Sequence, residues 1–178
     1  MKYIALLRGI NIGRSKRIKM ADLVKALESL GFKNVKTYLQ SGNVIFEHDS
    51  SDIAEIEGSI ERKISQTFSF SVDVIIRTKD ELENIVNGNP FISEPDIELD
   101  KLHVTFLSDV PGQKAVLNLD INKAENEKFE IIGREVYLYC PNGYARTKLK
   151  NDVFERKLDT TATTRNWKTT NKLLELSS

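Results

Sequence analysis

The chain has 178 residues, of which 40% are hydrophobic and 29% charged, and its formal net charge is zero. This composition is typical of a folded protein and argues against intrinsic disorder. No apolar run reaches the length of about 20 residues that a membrane span needs, and the N-terminus has no signal-peptide pattern. We therefore expect a cytoplasmic protein without membrane contact.

Charge is distributed unevenly along the chain. Residues 1–50 carry nine Lys and Arg against four Asp and Glu, whereas residues 51–100 carry four against twelve. Residues 141–178 are again basic, with eight against four. One interpretation is that these are solvated faces that pair with each other. The other is that the two basic ends converge on an anionic ligand.

The first half of the chain predicts the element order β-α-β-β-α-β. An apolar run at residues 3–7 indicates a strand, and an apolar stripe over residues 20–30 indicates a helix. Two further strands flank a turn at residues 41–43. A capping pattern at Asp52 starts a second helix, and residues 71–77 form the last strand. This order is the split βαβ arrangement of ferredoxin-like domains.

The second half predicts the order β-α-β-β-α, which lacks a final strand. Its predicted elements are a strand at 102–107, a helix at 113–119, a hairpin turning at 133–134 and a helix through 149–158. A terminal helix from about residue 165 to residue 176 takes the place of the last strand, with Thr163 or Thr164 as its N-cap.

The predicted domain organisation follows from these two series of elements. Residues 1–90 form a ferredoxin-like lobe, closed by a helix with a capping box at Thr78 and Glu81. Residues 91–100 form an acidic linker, and residues 101–178 form a second α+β lobe with a C-terminal helix. The predicted fold class is therefore α+β, with a ferredoxin-like βαββαβ lobe followed by a βαββα-type lobe and a terminal helix.

The predicted topology places a glycine-bearing loop beside the first hairpin turn. We call residues 8–19 the glycine loop. The first two strands of a split βαβ unit run parallel, so this loop and residues 41–43 lie at the same sheet edge. The residues predicted to bind an anion there are Arg8, Asn11, Ser41 and Asn43. Additional positive charge comes from Arg14, Lys16, Arg17 and Lys19. Turn geometry alone also explains Gly9 and Gly13.

A second polar cluster lies near the C-terminus. Arg165 and Asn166 are predicted in the first turn of the terminal helix, followed by Trp167 as a core anchor. A cation in this turn opposes the helix dipole, so Arg165 needs a compensating anion. A ligand or a carboxylate of the other lobe would supply that anion. Arg165 and Asn166 are therefore added to the predicted ligand-binding residues.

Four segments carry a resemblance to a known family. They are ALLRGINIG, YLQSGNVIF, PNGYARTK and TTRNWKT, in this order. Together they resemble the bacterial family called domain of unknown function 1697, over essentially the full length. The resemblance implies a cytoplasmic bacterial protein of unassigned activity with a ferredoxin-like N-terminal part, and it brings no catalytic residues. Where the family's usual GINVGG has its last glycine, this chain has Arg14, which makes the loop less flexible and more basic.

The sequence shows no catalytic constellation. His48 lies beside a turn and His103 in a strand, and no nucleophile motif accompanies either of them. Cys140 ends an apolar strand, which favours a buried and inert thiol. No metal or cofactor is predicted, and whether the protein is an enzyme stays open.

The function predicted from the sequence is binding of a small anionic, phosphate-bearing ligand at the glycine-loop edge. The first alternative is a protein–protein interaction module that pairs through a sheet edge or the acidic middle face, which is compatible with a homo-oligomer. The second alternative is nucleic-acid binding through the basic ends. A pI near 6.8 and strands without the aromatic pattern of RNA-binding sheets disfavour nucleic acid.

Overall fold

A computed structural model describes residues 1–178 and contains eight strands and six α-helices. The chain divides into two compact units, one formed by residues 1–83 with 173–178 and the other by residues 84–172. The predicted two-lobe α+β fold is confirmed, while the segment predicted as an acidic linker, residues 91–100, lies inside the second unit. None of the helices combines the length and the apolar character that a bilayer span requires.

The first unit is an antiparallel sheet covered by helices. Its elements are β1 (Lys2–Leu7), α1 (Met20–Glu28), β2 (Lys33–Tyr38), β3 (Asn43–Glu47), α2 (Ile53–Phe68), β4 (Val74–Thr78) and the first part of α3 (Lys79–Asn87). The strand order is β2-β3-β1-β4, with β3 antiparallel to both of its neighbours. Strands β1 and β2 therefore run parallel on either side of β3, and the predicted element order is observed.

The core of this unit follows from the two periodicities of its sequence. Alternate residues of β1, namely Tyr3, Ala5 and Leu7, are buried in the core. Residues at helical spacing on α2 complete it, namely Ile56, Ile60 and Ile64. Complete burial of one such aliphatic side chain contributes about 1.5–3 kcal/mol, so this core is the main source of the unit's stability.

Both predicted helix caps of the first unit are present. The Asp52 carboxylate accepts a hydrogen bond from Glu55 N at 3.0 Å at the start of α2. At the start of α3, Glu81 N donates to Thr78 Oγ1 at 3.1 Å, and Thr78 N donates to Glu81 Oε2 at 2.8 Å. The second pair is a complete capping box, so both helices begin where the sequence pattern predicts.

The second unit is also an antiparallel sheet with helices. It begins with the last part of α3 and a 3₁₀ turn at Leu99–Lys101. Its remaining elements are β5 (Leu102–Leu107), α4 (Gln113–Leu117), β6 (Lys128–Ile132), β7 (Glu135–Tyr139), α5 (Asn151–Leu158), β8 (Ala162–Asn166) and the first part of α6 (Trp167–Leu176). The strand order is β6-β7-β5-β8.

Strand β8 corrects the prediction that a terminal helix replaces the last strand. Arg165 lies opposite Val104 in the β5–β8 ladder, and the helix starts only at Trp167. Asn166 Oδ1 accepts a hydrogen bond from Thr169 N at 2.7 Å, so Asn166 caps the helix. The physical reason is that the threonine-rich run before Arg165 prefers extended backbone, and it pairs with a β5 edge that would otherwise stay open.

The strands of the two sheets pair in equivalent registers. Ile4 of β1 lies opposite Arg77 of β4, just as Val104 of β5 lies opposite Arg165 of β8. In each unit a helix follows this last strand directly, at Lys79 or at Trp167. Both units therefore have the topology β-α-β-β-α-β with a further helix, although the sequence shows no residue-level repeat.

Candidate functional site

The structure brings the glycine loop and the first hairpin turn together, as predicted from topology. Leu7 N donates to Gly42 O at 2.8 Å. Asn11 Nδ2 donates to Gln40 O at 2.7 Å. The four predicted residues of the first unit, Arg8, Asn11, Ser41 and Asn43, therefore lie in two adjoining segments at one sheet edge.

Asn11 closes the glycine loop with its side chain. Its Nδ2 also donates to Ile18 O at 3.0 Å, and its Oδ1 accepts from Ile18 N at 2.9 Å. Its backbone N donates to Lys16 O at 3.0 Å. The amide predicted to face a ligand is thus engaged with the backbone of the loop and of the hairpin. Asn11 sets the shape of the edge.

Asn43 has a similar internal role in the hairpin. It is completely buried, and its Nδ2 donates to Tyr38 O at 2.7 Å and to Ser41 Oγ at 3.0 Å. These contacts fix the turn between β2 and β3. Ser41 itself is exposed at the surface of the turn.

The sign of the backbone φ angle alternates over residues 9–13 of the glycine loop. Gly9, Asn11 and Gly13 have positive φ of 70°, 54° and 59°, whereas Ile10 and Ile12 between them do not. The backbone N–H groups of four of these residues donate no hydrogen bond within the protein; they belong to Gly9, Ile10, Ile12 and Gly13. Free backbone N–H groups of turns can form concave sites for anions.

The same loop carries several cationic residues. Arg14, Arg17 and Lys19 are exposed and make no ion pair or hydrogen bond through their side chains. Lys16 is also exposed, but its Nζ donates to Ser71 O at 2.8 Å. Arg8 is half-buried, with its backbone N donating to Asp73 O at 2.9 Å. The edge therefore has a strongly positive character.

The two remaining predicted residues belong to the second unit. Arg165 is 8% exposed, and its guanidinium donates to Thr163 Oγ1 at 2.8 Å and to Thr164 O at 3.0 Å. Burial lowers the pKa of Arg165 to about 10, which leaves the side chain charged at neutral pH. Because Arg165 lies in β8 and not in the first turn of a helix, the argument from the helix dipole does not apply to it.

A cluster of polar and aromatic side chains connects two of the segments quoted above, PNGYARTK and TTRNWKT. Tyr144 stacks on His103 with ring centroids 4.8 Å apart, and Lys150 Nζ lies 4.2 Å from the Tyr144 ring centroid. Thr164 Oγ1 lies 2.7 Å from Thr105 Oγ1 and donates to Asn151 Oδ1 at 2.5 Å. These contacts fix the loop between β7 and α5 against the sheet.

The environment of His103 predicts a pH-dependent stability. Burial, and then the positive charge of Lys150, lower the pKa of His103 below its usual range, although a hydrogen bond to Lys101 O opposes the shift. Below about pH 6.5 the unfolded chain therefore binds more protons than the folded one. Stability is expected to fall as the pH decreases through this window.

Urea unfolding at about pH 7.5 and pH 5.5 measures this loss. His103→Gln should show a smaller loss between the two conditions than the wild-type protein. His48→Gln is the control and keeps the wild-type loss, because His103 is intact. An unchanged loss in His103→Gln would show that other groups cause the pH dependence.

Cys140 is a buried thiol. It is completely buried, and this burial raises its pKa to about 11. The thiolate needed for nucleophilic attack is therefore scarce at neutral pH. The expected inert cysteine agrees with this environment.

Two surface depressions of the first unit lie away from the predicted residues. One, of about 530 Å³, lies between α1 and α2 and is lined in part by Lys25 and Lys63. The other, of about 150 Å³, includes Lys36 and Ser178. Neither contains a residue of the glycine loop.

Sequence reasoning missed two exposed aliphatic side chains beside the loop. Ile12 is 68% exposed and Leu39 is 53% exposed. They are the neighbours in sequence of Asn11 and Gln40, which are hydrogen-bonded to each other. The signal in the sequence is an aliphatic residue within a turn, since Ile12 and Leu39 both lie close to glycine and other turn-forming residues.

Comparison with known proteins supports the fold and the family. A search of curated proteins finds no significant match. The structure is similar to that of the conserved bacterial protein SP0830 from Streptococcus pneumoniae, with a TM-score of 0.76 and 22% sequence identity over 99% of this chain and 98% of that one. Residues 1–137 match the family described as "Protein of unknown function (DUF1697)". The chain therefore belongs to this family.

Proposed function

We propose that the glycine loop binds the phosphate group of a small anionic ligand, on a ferredoxin-like unit of a cytoplasmic protein. The observation that carries this proposal is the backbone between Gly9 and Gly13, where the φ angle alternates in sign and the N–H groups of Gly9, Ile10, Ile12 and Gly13 have no partner in the protein. Backbone N–H groups in such turns form concave sites for phosphate.

The surrounding charge supports an anion over a neutral ligand. Arg14, Arg17 and Lys19 make no internal ion pair, so their charges remain available to a ligand. A hydrogen bond to a charged group contributes about 1.5–3 kcal/mol, about twice the value for a neutral pair. Arg14 occupies the position at which the family pattern has glycine, and it adds a guanidinium suited to bidentate phosphate contact.

The predicted site residues take different roles in this proposal. Ligand contact comes from the loop backbone, from the loop cations and from Arg8 and Ser41. Asn11 and Asn43 position the edge, because their amides are engaged in the loop and the hairpin. Arg165 and Asn166 belong to the second unit, where Asn166 caps α6.

The test is a thermal-shift panel at low salt with inorganic phosphate, pyrophosphate, nucleotides and sugar phosphates. A ligand at one hundred times its dissociation constant stabilises a protein by about 2.7 kcal/mol, or about 5–10 °C for a chain of this size. The double variant Arg14→Ala/Arg17→Ala should lose this rise and keep the unfolding temperature of the unliganded protein.

The matched control is Arg156→Ala/Lys157→Ala, which removes two exposed cations from α5 in the second unit. This variant should respond to phosphate like the wild-type protein. A flat panel with well-folded wild-type protein would contradict the proposal. It would favour the interaction module, for which light scattering at several protein concentrations is the next measurement.

A further inference from the structure

The glycine-loop edge exposes apolar surface as well as positive charge. Ile12 is 68% exposed at the tip of the loop, and Leu39 is 53% exposed in the adjacent hairpin turn. The hydrogen bond between Asn11 and Gln40 holds the two segments together, so the two exposed aliphatic residues lie in adjoining segments.

Leu39 has a left-handed backbone conformation in the turn between β2 and β3. Its φ is +61°, in the left-handed region that residues with a β-carbon rarely adopt. The other left-handed residues of this unit that carry a β-carbon are all polar, namely Asn11, Lys16, Asn34 and Ser69, so Leu39 is the one apolar residue among them. A strained leucine that also exposes half of its surface therefore indicates a role in binding.

The charge around these two side chains defines the partner. Arg14, Arg17 and Lys19 are exposed and have no internal ion pair. One acidic residue, Asp73, contacts the start of the loop, and it does so through its backbone carbonyl. Aliphatic side chains within a group of cations are typical of surfaces that bind the headgroup region of anionic bilayers.

The aromatic residues disfavour nucleic acid as the partner. Single-stranded nucleic acid is held by bases that stack on exposed aromatic rings. All Phe, Tyr and Trp side chains of this protein are buried or half-buried. An edge with exposed aliphatic and cationic side chains, and without an exposed ring, fits a lipid surface better.

We propose that this edge docks on the surface of an anionic lipid bilayer. Ile12 and Leu39 enter the boundary between headgroups and acyl chains, and the glycine loop holds a headgroup phosphate. This inference rests on the proposed function, because the same loop binds the phosphate. Peripheral docking of this kind needs no membrane-spanning helix.

The first experiment is cosedimentation of the full chain with vesicles of phosphatidylcholine, with and without phosphatidylglycerol. Binding is expected only with the anionic lipid. It should weaken strongly between about 0.1 M and 1 M salt, because screening shortens the reach of the cations from about 10 Å to about 3 Å. Equal binding to both vesicle types, or no binding to either, would overturn the inference.

The decisive variant is Leu39→Asn. Asparagine adopts the left-handed conformation more readily than leucine, so the unfolding temperature should stay the same or rise. Vesicle binding should nevertheless weaken about tenfold, because an apolar anchor is lost. Leu117→Asn is the matched control, since Leu117 is 77% exposed in the second unit and should not affect vesicle binding.

Free phosphate separates this inference from the proposed function. Leu39→Asn should keep the thermal shift with inorganic phosphate, because the loop cations and backbone are unchanged. If wild-type protein binds phosphate and ignores anionic vesicles, the lipid inference is wrong and the proposed function stands. If Leu39→Asn binds vesicles like the wild-type protein, the contact is purely electrostatic and the inserted anchor is wrong. Salt-sensitive binding to a short RNA without vesicle binding would identify nucleic acid as the partner instead.

Discussion

Replacing Gly42 by alanine is expected to destabilise the protein by about 3 kcal/mol. An added Cβ would lie 2.7 Å from Ile10 Cδ1 and 2.8 Å from Leu7 Cβ, and φ at this position is +79°. Leu7 and Ile10 are 0% and 2% exposed, so neither can move away freely. The left-handed backbone adds about 1–2 kcal/mol and the overpacking about 1–3 kcal/mol. Urea unfolding gives the loss directly.

Gly13→Ala is the matched control for this experiment. Gly13 also has a positive φ, of 59°, but an added Cβ would meet no atom within 4 Å. Only the backbone strain of about 1–2 kcal/mol should remain. If Gly42→Ala lost no more stability than Gly13→Ala, the close packing between hairpin and loop would be wrong. Because Ile10 lies inside the loop, Gly42→Ala should also weaken phosphate binding.

The second large effect is expected for Asn11→Asp. The substitution keeps the size of the side chain and its tolerance of positive φ, but it removes both hydrogen bonds donated by Nδ2, to Ile18 O and to Gln40 O. A carboxylate oxygen then faces these carbonyl oxygens. Two lost hydrogen bonds with unpaired acceptors destabilise by about 2–3 kcal/mol, measured by urea unfolding. The added negative charge should also abolish phosphate binding.

Asn34→Asp provides the comparison, since Asn34 has a similar φ of 53° and is exposed. It should change stability by less than about 0.5 kcal/mol, as exposed substitutions usually do. A loss of stability in Asn34→Asp as large as that in Asn11→Asp would mean that the change from amide to carboxylate matters wherever it occurs. The loop-closing role of Asn11 would then be unsupported.

The sequence predicts those elements whose determinants are local. The caps at Asp52 and at Thr78 join residues three positions apart, and both are present. The isoleucine stripe of α2 has the periodicity of a helix and is buried as predicted. The sequence also predicts that the glycine loop and the hairpin turn are adjacent, because the topology of a split βαβ unit determines which loops share a sheet edge.

The sequence does not predict features that depend on partners far along the chain. Residues 162–166 end directly before a helix, and only pairing with β5 makes them a strand. Thr163, Thr164 and Asn166 are all residue types that cap helices. Thr163 and Thr164 are paired with β5, and Asn166 caps α6. Similarly, an asparagine side chain in a loop can form hydrogen bonds with a ligand or with the protein backbone, and the sequence does not distinguish the two. The hydrogen bond from Asn11 to Gln40 joins residues 29 positions apart and is visible only in the folded chain.

The first compact unit contains both ends of the chain, so its parts are synthesised at different times. Residues 173–178 belong to that unit, and Lys2 Nζ donates to Ser178 O at 2.9 Å. A ribosome synthesises these residues only after the whole second unit, so the first unit stays incomplete while the second emerges. Cutting the gene between the units would therefore not yield two independent domains. Fragments intended for study need residues 173–178 supplied to the first unit.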